Sequence, residues 1–553
     1  MTSEADLVLI HPPSVYDFRR IRKYYGPVSD VVPSDPVFDM YPAGFLSIAS
    51  YLGKSGYDVR ILNVAALMLV KRGLDVERLI ARTYAKAYGI DLHWAVHAHG
   101  AIELARLVKK YHPDSPVLVG GMTATYYFKE LLENYSCVDY VLLGDSTEEP
   151  LRLLLSVLES GSEPGEVPNL AYRVGDGLKC TGIRFVPNNL DPYYIDYDWL
   201  FSRYVKRKLL LGALPYASFL SRPIGAVLPF KGCVHNCLVC GGSKWAYERF
   251  FARTCLAVKS PEVIVRELRG LLENLKIPVF VIGDLRLLGK SAEEFLSLLK
   301  KENIDSDIMF EFFTPPPRGL LERLAGIAPN VIVQISPETP SESLRKRIGR
   351  LYGNRELVRF VKDAVNLGLR RIDLYFMIGL AGQRPGESRL IARFLEGLVS
   401  ETGGRGRVVA FVAPLSPFLD PGSIAFEKAP ESGYILRARK LEEHRKLLLE
   451  PLWWNSLNYE TCTMSRRDVA LETYKAAVEI VKLNVKWGSI SEEEGERVIE
   501  SATAAMSVVR GETEPPMHRG EEIVRKTYLY PRRELLFSIR PKLALRLMKG
   551  LLS

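Results

Sequence analysis

The chain has 553 residues, of which 47% are hydrophobic and 25% are charged, and its formal net charge is +9 at pH 7. Because this length is too great for a single hydrophobic core, we expect two to four domains in a soluble, globular protein. The modest positive charge is compatible with an anionic partner or surface but identifies none, and the sequence carries no recognised nucleic-acid-binding motif.

The start of the chain and its cysteine usage bear on where the protein works. We expect no secretory leader, because residues 1–6 are mostly polar and the apolar run after them is only one strand long. We expect no membrane-spanning helix, because no apolar run reaches about 18 residues. The seven cysteines are odd in number and mostly isolated, which argues against a disulfide framework and favours the reducing cytoplasm. Glutamine occurs only twice beside many charged residues, a composition typical of heat-adapted proteins.

The first 162 residues alternate strands with helices. Apolar runs predict strands at 6–10, 58–64, 87–94, 116–120 and 138–143. Helical patterns fall between them, at 41–52, 74–87, 101–111 and 127–135. This alternation predicts a doubly wound parallel sheet, which binds ligands beyond the carboxyl ends of its strands. The residues expected at those ends are Pro12, His93, Gly120, Gly121 and Gly144.

Residues 163–222 are expected to link this domain to the next one. The segment 160–165 is rich in Gly, Ser, Glu and Pro and predicts a boundary. Short strands and turns follow, with a hairpin turn predicted at 175–177. A second strand–helix alternation runs from 223 to 425, with strands predicted at 226–230, 279–282, 308–313, 331–335, 371–377 and 407–412. Helices are predicted between them, at 261–275, 292–301, 319–325, 355–367 and 390–399.

Three cysteines, Cys233, Cys237 and Cys240, lie within eight residues of one glycine-flanked loop. Their thiolates can converge on one soft metal centre, and steps of four and three residues suit an iron–sulfur cube. A complete cluster site needs four thiolates, so one iron would stay open for a small-molecule ligand. The alternatives are a structural zinc ion with His235 as fourth ligand, or three buried thiols. The other four cysteines show no paired spacing and are expected to be buried.

The spacing Cys-x3-Cys-x2-Cys resembles the signature of the radical S-adenosylmethionine (SAM) enzymes, although Val239 stands where that family usually has an aromatic residue. The resemblance implies a [4Fe-4S] cluster whose open iron binds SAM. Reductive cleavage of SAM then gives a 5′-deoxyadenosyl radical that abstracts hydrogen from an unactivated carbon. The resemblance covers residues 223–425 and implies a partial (β/α)6 barrel and an electron donor such as a ferredoxin.

The same resemblance implies which residues hold SAM. Gly283 and Asp284 stand where the family grips the SAM ammonium group, and a carboxylate suits that cation. Ser336 and Glu338 stand where the family binds the ribose, and Gly379 belongs to a glycine-containing turn like the one near adenine. A capping acid or a turn glycine would explain each of these residues taken singly. Gln334, on the same strand as Glu338, is expected in the core.

The first domain resembles the cobalamin-binding domain that precedes the radical SAM domain in many enzymes, through residues 8–13, 89–94, 117–125 and 138–149. This implies that cobalamin binds at the five strand-end residues named above. The Asp-x-His-x-x-Gly motif that supplies a cobalt ligand is incomplete, because Asp91 and His93 are present but Val96 replaces the glycine. A domain of the same shape without cobalamin is the alternative.

Residues 426–553 are expected to be mainly helical, with helices at 436–449, 474–483 and 492–508. Trp453, Trp454, Asn455, Tyr459 and Glu460 form an aromatic and polar cluster that would either line a substrate pocket or belong to the core. The tail, residues 532–553, combines apolar residues with Arg540, Lys542, Arg546 and Lys549. Such a segment either lies in a membrane interface or packs on the protein with a solvated basic face.

Residues 241–244, 336–338 and 376–383 resemble an archaeal and bacterial subgroup that includes the tetraether-lipid ring synthases. This implies carbon–carbon bond formation on a small-molecule or lipid substrate. A cobalamin-dependent methyltransferase is the first rival and predicts S-adenosylhomocysteine among the products. A non-catalytic iron–sulfur protein predicts no deoxyadenosine, and a zinc-loop protein that binds nucleic acid is supported by the positive charge alone.

Overall fold

The computed structural model describes residues 4–24, 40–71, 73–415, 418–519 and 535–552. The strands of the N-terminal region are β1 (Ala5–His11), β2 (Arg22–Lys23), β3 (Val59–Asn63), β4 (Ala85–Asp91), β5 (Val117–Gly120), β6 (Tyr140–Leu142), β7 (Leu170–Val174) and β8 (Gly177–Cys180). Its helices are α1 (Gly44–Lys54), α2 (Val64–Val70), α3 (Val76–Ala81), α4 (Ala98–Tyr111), α5 (Met122–Tyr126), α6 (Phe128–Asn134), α7 (Glu148–Ser160) and α8 (Tyr197–Lys206).

Seven of these strands form one sheet in the order β3-β1-β4-β5-β6-β7-β8. The first five strands are parallel, which confirms the predicted doubly wound sheet. The predicted hairpin is present, and its strands β7 and β8 extend this sheet in antiparallel fashion. Helix α7 is followed by Gly161, a left-handed residue with φ of 66° that lies inside the predicted boundary.

The predicted helix at 74–87 is wrong in its second half. Helix α3 ends at Ala81, and β4 begins at Ala85. Ala85 and Ala87 alternate with the exposed Lys86 and pair with Ala5 and Leu7 of β1. The alternation of buried and exposed residues fits a strand. Helical spacing fits this short segment as well, and pairing with β1 decides that it forms a strand.

The barrel region contains β9 (Gly225–Val227), β10 (Phe230–Lys231), β11 (Ala257–Val258), β12 (Val279–Asp284), β13 (Ile308–Phe312), β14 (Val331–Glu338), β15 (Arg371–Ile378) and β16 (Val408–Pro414). Its helices are α9 (Lys244–Phe250), α10 (Pro261–Leu272), α11 (Ser291–Lys301), α12 (Arg318–Ala325), α13 (Glu342–Arg347), α14 (Asn354–Asn366) and α15 (Glu387–Thr402). Six strands form a parallel sheet in the order β16-β15-β14-β13-β12-β9, which confirms the partial barrel. The predicted strand at 226–230 is divided between β9 and β10.

The C-terminal region is mainly helical, as predicted. It contains α16 (Ile424–Glu427), α17 (Ala429–Ser432), β17 (Tyr434–Leu436), α18 (Leu441–Leu447), β18 (Tyr459–Thr461), α19 (Arg466–Lys486), α20 (Glu492–Arg510), β19 (His518–Arg519) and α21 (Pro541–Leu552). Helix α19 packs on β16 and α15 and against α20. Trp453, Trp454 and Tyr459 are buried, and the Trp453 indole donates to the Tyr474 hydroxyl at 2.9 Å, so this cluster belongs to the core.

The C-terminal tail packs on the protein. The prediction that its basic side chains form a solvated face is wrong for Lys542 and Arg546. Lys542 pairs with Asp198 at 2.7 Å and with Glu273 at 2.6 Å, and Arg546 pairs with Asp198 at 3.3 Å. The face turned to solvent carries Leu545 instead. Residues 532–534 and 553 of the predicted tail lie outside the described residues. Across the described part of the chain, no helix is long and apolar enough to cross a membrane.

A buried ion pair connects the linker to the barrel. Lys259 donates to both carboxylate oxygens of Glu267, at 2.6 and 2.7 Å, and the Ile195 N–H donates to the same carboxylate. Burial raises the pKa of Glu267, and the lysine charge opposes that effect. Removing the lysine leaves a buried carboxylate without its counter-ion.

We therefore predict that Lys259→Met lowers the free energy of unfolding by about 3–5 kcal/mol. The loss should grow as the pH rises, because a carboxyl group whose pKa is higher in the folded chain destabilises that chain when it ionises. Denaturant titration at pH 5 and pH 8 measures both effects. Lys482→Met, which breaks an exposed pair with Glu479, is the control and should change little. Equal effects of the two substitutions would contradict the prediction.

Candidate cluster and cofactor site

The cysteine loop follows β10 and is held in place on several sides. Gly232 opens it with φ of 96°, which favours glycine. The Leu238 N–H donates to the Ile348 carbonyl at 3.0 Å, and the Ala425 N–H donates to the Leu238 carbonyl at 2.9 Å. The Gly241 N–H donates to the Asp420 carboxylate at 3.0 Å. The loop is therefore fixed by backbone contacts that do not use its thiols.

The three thiols are partly buried, and burial raises the pKa of each of them. The His235 N–H points at the Cys233 sulfur at 3.4 Å, and the Gly242 N–H points at the Cys240 sulfur at 3.3 Å. N–H groups aimed at sulfur stabilise thiolates, and in iron–sulfur proteins they tune the reduction potential. A metal centre that binds thiolates would overcome the raised pKa values.

The three cysteine thiols are not gathered as tightly as the ligands of a single metal ion. In the described part of the chain, one group of three His, Cys, Asp or Glu residues has all its ligand atoms within 4.8 Å of one another. That group does not include these cysteines. Ligands of a tetrahedral zinc ion with bonds of 2.3 Å would lie roughly 3.8 Å apart. His235, the expected fourth zinc ligand, packs its ring edge-on against Phe313 at 5.6 Å. Three thiols on one loop are the protein ligands that an iron–sulfur cube with one open iron requires.

Asp284, at the end of β12, is buried, and other groups already use its carboxylate. The Arg286 side chain donates to it at 2.8 and 2.5 Å, and the Phe313 N–H donates to it at 3.1 Å. Gly283 has φ of 89°, and a Cβ there would stand 2.6 Å from the Phe230 ring. Gly283 thus meets a steric requirement, and Asp284 stabilises the turn that follows the strand.

Sequence reasoning missed Glu311 and Arg350. Glu311 lies on β13 and accepts the Gly283 N–H at 2.8 Å, and burial raises its pKa. Arg350 donates to Glu338 at 3.2 Å and lies over the Phe313 ring, 5.7 Å from its centroid. The Arg350 charge also acts on Cys237. Glu311 could have been found in the sequence as the one acidic residue inside an otherwise apolar strand. The sequence around Arg350 carries no comparable signal.

Glu338 and the turn near Gly379 are shaped by their backbones. Glu338 is buried and has φ of 66°, which is unusual for a residue other than glycine, and burial raises its pKa. Gly379 has φ of 102°, and its N–H donates to the Gln383 side chain at 2.9 Å. Ser336 is partly exposed between Ile335 and Glu338, where the pairing of β14 with β15 is irregular. Gln334 is buried, as expected for the core.

The predicted cobalamin residues lie along one edge of the first sheet, at the ends of β1, β4, β5 and β6. Gly121 has φ of 116°, and a Cβ there would stand 2.5 Å from the His93 Cα atom. Gly144 has φ of 96°, and its N–H donates to the Thr125 hydroxyl at 3.0 Å. Gly120 ends β5, and Pro12 is buried just after β1. The glycines therefore permit the close backbone packing that this edge requires.

Asp91 pairs with a histidine other than the one in the incomplete motif. Its carboxylate accepts the His93 backbone N–H at 2.9 Å and bonds the His11 ring at 2.8 Å. Burial acts to raise the pKa of Asp91, but the His11 bond and the nearby imidazoles outweigh it and lower that pKa. The partly exposed His93 ring packs against Trp94 at 4.6 Å, and burial lowers its pKa. Burial therefore favours the neutral form of the His93 imidazole.

The two predicted sites meet through the loop between β6 and α7. Lys231, two residues before Cys233, donates to the Asp145 carbonyl at 3.0 Å, to Ser146 at 3.3 Å and to Glu148 at 3.2 Å. Arg253, after α9, binds the Asp145 carboxylate at 2.5 and 3.0 Å. The segments on both sides of the cysteine loop thus contact the edge of the first sheet.

Comparisons with known proteins agree with this architecture. The model of the B12 binding domain matches residues 30–154, and that of the radical SAM superfamily matches residues 227–395. The chain is 26% identical over 245 residues to the hopanoid C-3 methylase of Methylococcus capsulatus, covering 44% of this chain and 42% of that protein. It is 22% identical over 286 residues to the anaerobic magnesium-protoporphyrin IX monomethyl ester cyclase of Cereibacter sphaeroides, covering 50% of this chain and 40% of that protein. The chain thus spans less than half the length of these two relatives.

Solved structures share the fold over most of the chain. The radical SAM methyltransferase TsrM from Kitasatospora setae, solved with cobalamin and a [4Fe-4S] cluster, aligns with a TM-score of 0.57 and 13% identity, covering 91% of this chain and all of that one. The cobalamin-dependent SAM radical enzyme OxsB, solved with aqua-cobalamin, aligns with a TM-score of 0.59 and 12% identity, covering 92% of this chain and 72% of that one. At these identities the similarity concerns the fold.

We predict that replacing Cys233, Cys237 and Cys240 together by Ala abolishes the iron content and the brown absorbance of protein purified without oxygen. The wild-type chain should hold about four irons, as one cubane cluster requires. The prediction that the other four cysteines are buried is correct for Cys137 and wrong for Cys180, Cys255 and Cys462, which are exposed. Replacing Cys180 and Cys462 by Ala is the matched control and should leave both readouts unchanged. Iron retained at the wild-type level by the triple variant would show that other residues hold the metal.

Proposed function

We propose that this chain, which matches the B12 binding domain over residues 30–154 and the radical SAM superfamily over residues 227–395, modifies an unactivated carbon of a hydrophobic small molecule or lipid. One observation carries this proposal: the segments on both sides of the loop with three neighbouring thiols contact the edge of the first sheet to which we assign cobalamin. When bound, the cluster and SAM supply the radical that removes hydrogen, and cobalamin supplies methyl-transfer or electron-transfer chemistry.

We assign the cluster to Cys233, Cys237 and Cys240, and SAM to the strand ends beside them. Gly283, Asp284, Ser336, Glu338 and Gly379 line this SAM site. Glu338 is the acidic group best situated for a polar part of SAM, because its charge acts on Cys237 and it is balanced by Arg350. Asp284 acts indirectly by fixing Arg286 and the Phe313 backbone.

We assign cobalamin to the sheet edge at Pro12, His93, Gly120, Gly121 and Gly144. A neutral imidazole is the form that binds a metal, so the lowered pKa of His93 supports a role near cobalt. The contacts of Lys231 and Arg253 with the loop after β6 hold this edge against the cysteine loop. They support a fixed separation between the two proposed cofactor sites.

Two reactions remain compatible with these assignments. The first is carbon–carbon bond formation on a membrane lipid, such as ring closure in an archaeal tetraether lipid, and the second is cobalamin-dependent methylation. A methylase and a cyclase among the relatives support one reaction each. A reductant such as a ferredoxin would supply the electron. A non-catalytic iron–sulfur protein is the alternative of another class.

A lipid substrate also fits the exposed apolar surface of the tail. Leu536 and Phe537 are 78% and 82% exposed, and Leu545 and Met548 of α21 are 55% and 53% exposed. Leu545 and Met548 are three positions apart and share one face of the helix, while Lys542 and Arg546 hold the helix on the protein through Asp198. We propose that this tail surface touches a membrane peripherally while the enzyme works in the cytoplasm.

We predict that the wild-type chain, purified anaerobically with cobalamin supplied, forms 5′-deoxyadenosine from SAM under reducing conditions. The triple cysteine variant should form none, because it cannot hold the cluster. Chromatography of the products separates the two reactions, since S-adenosylhomocysteine with a methylated product would favour methyl transfer. Failure of the iron-loaded wild-type chain to convert SAM into either nucleoside product would overturn the proposed function.

We predict that replacing Leu536 and Phe537 by Ser lowers the fraction of protein that sediments with liposomes of archaeal polar lipids. The reason is that two large apolar side chains lose their transfer free energy, about 1.5–3 kcal/mol each. Leu390→Ser, at another exposed apolar residue, is the control and should sediment like the wild type. Equal sedimentation of all three proteins, or none with the wild type, would contradict a membrane contact at this surface.

A further inference from the structure

Two histidines and an aspartate converge beneath the proposed cobalamin edge. His11 is the last residue of β1, and Asp91 is the last residue of β4. His97 ends the short 3-10 helix Ala95–His97 that follows β4. Their exposed fractions are 0%, 3% and 0%, so all three polar side chains are withdrawn from water. No role in the proposed reaction requires this group.

Their geometry is that of a metal-binding group. Each residue offers one ligand atom, and the three atoms lie within 4.8 Å of one another. The His11 Nδ1 atom lies 2.8 Å from an Asp91 oxygen, and the rings of His11 and His97 meet edge-on with centroids 4.6 Å apart. No other group in the described residues meets this distance condition.

The neighbouring histidines are engaged elsewhere. His99 accepts the Tyr16 N–H through Nδ1 at 3.3 Å, and the His93 ring packs on Trp94. The group therefore consists of two imidazoles and one carboxylate. This ligand set suits zinc and other divalent first-row transition ions, whereas magnesium and calcium prefer oxygen ligands alone.

We propose that His11, Asp91 and His97 bind one divalent transition-metal ion, with Zn²⁺ as its simplest form. The ion takes its ligands from one buried carboxylate and two buried imidazoles and joins the carboxyl ends of β1 and β4. Pro12 directly follows one ligand, and His93 lies two residues after another. The ion thus stabilises the edge on which the proposed cobalamin residues sit, and its binding does not depend on SAM cleavage.

The test uses zinc as the probe and the full chain with its iron–sulfur cluster assembled, so that the three cysteines are occupied. Chelator-treated protein is incubated with Zn²⁺, separated by gel filtration and analysed for zinc and iron. We expect one zinc per wild-type chain in addition to the cluster iron. His97→Gln and His11→Gln should weaken zinc binding by at least as much as the loss of an outer-shell partner, about tenfold.

His112→Gln is the matched control, because His112 lies in the same domain and bonds the Ile80 carbonyl outside the group. It should bind zinc like the wild type. X-ray absorption at the zinc edge of the wild-type protein gives a second readout that needs no variant. Nitrogen and oxygen at about 2.0–2.1 Å without sulfur at about 2.3 Å is expected. Zinc lost on gel filtration, sulfur ligands, or equal binding by the three histidine variants would overturn the proposal.

Discussion

The buried charges around Asp145 fix the relation between the two halves of the molecule. Arg253 is 2% exposed, and its guanidinium binds both oxygens of Asp145, while Lys231 donates to the backbone and side chains of the same loop. A buried cation without its partner is strongly unfavourable, so these pairs favour one arrangement of the domains. Because Lys231 and Arg253 flank the cysteine loop, the same contacts determine how the cluster site faces the first sheet.

At the mouth of the barrel, acidic groups gather around one arginine. Glu311 and Glu338 both have raised pKa values because burial disfavours their charged forms, and the Arg350 charge opposes that effect in each case. Arg350 also lies near Cys237, where a cation stabilises a thiolate. The electrostatic balance of the site thus depends on a residue supplied by a loop after α13, outside the strands themselves.

The N-terminal domain has the fold of a B12-binding domain, and the aspartate at the end of its strand β4 contacts two histidines in different ways. Asp91 bonds the ring of His11 and holds His93 only through its backbone. The imidazole of His93 lies beside Trp94 at the domain edge, where burial lowers its pKa. The aspartate of the incomplete motif therefore bonds a histidine ring from outside the motif. That histidine, His11, stabilises the edge of the sheet from below.

The sequence by itself determined the order of the elements and the placement of three cysteines on one loop. Strand–helix alternation predicted both parallel sheets, because buried strands read as short apolar runs between helical patterns. Three cysteines so close in sequence can be placed on one loop without knowledge of the tertiary structure. Only the tertiary structure decided the path of residues 82–87, because pairing with β1 outweighs helical periodicity in so short a segment. It also decided the partners of Glu311, Arg350, His11 and Lys542, since each lies far along the chain or on another element, and spacing in sequence carries no information about such contacts.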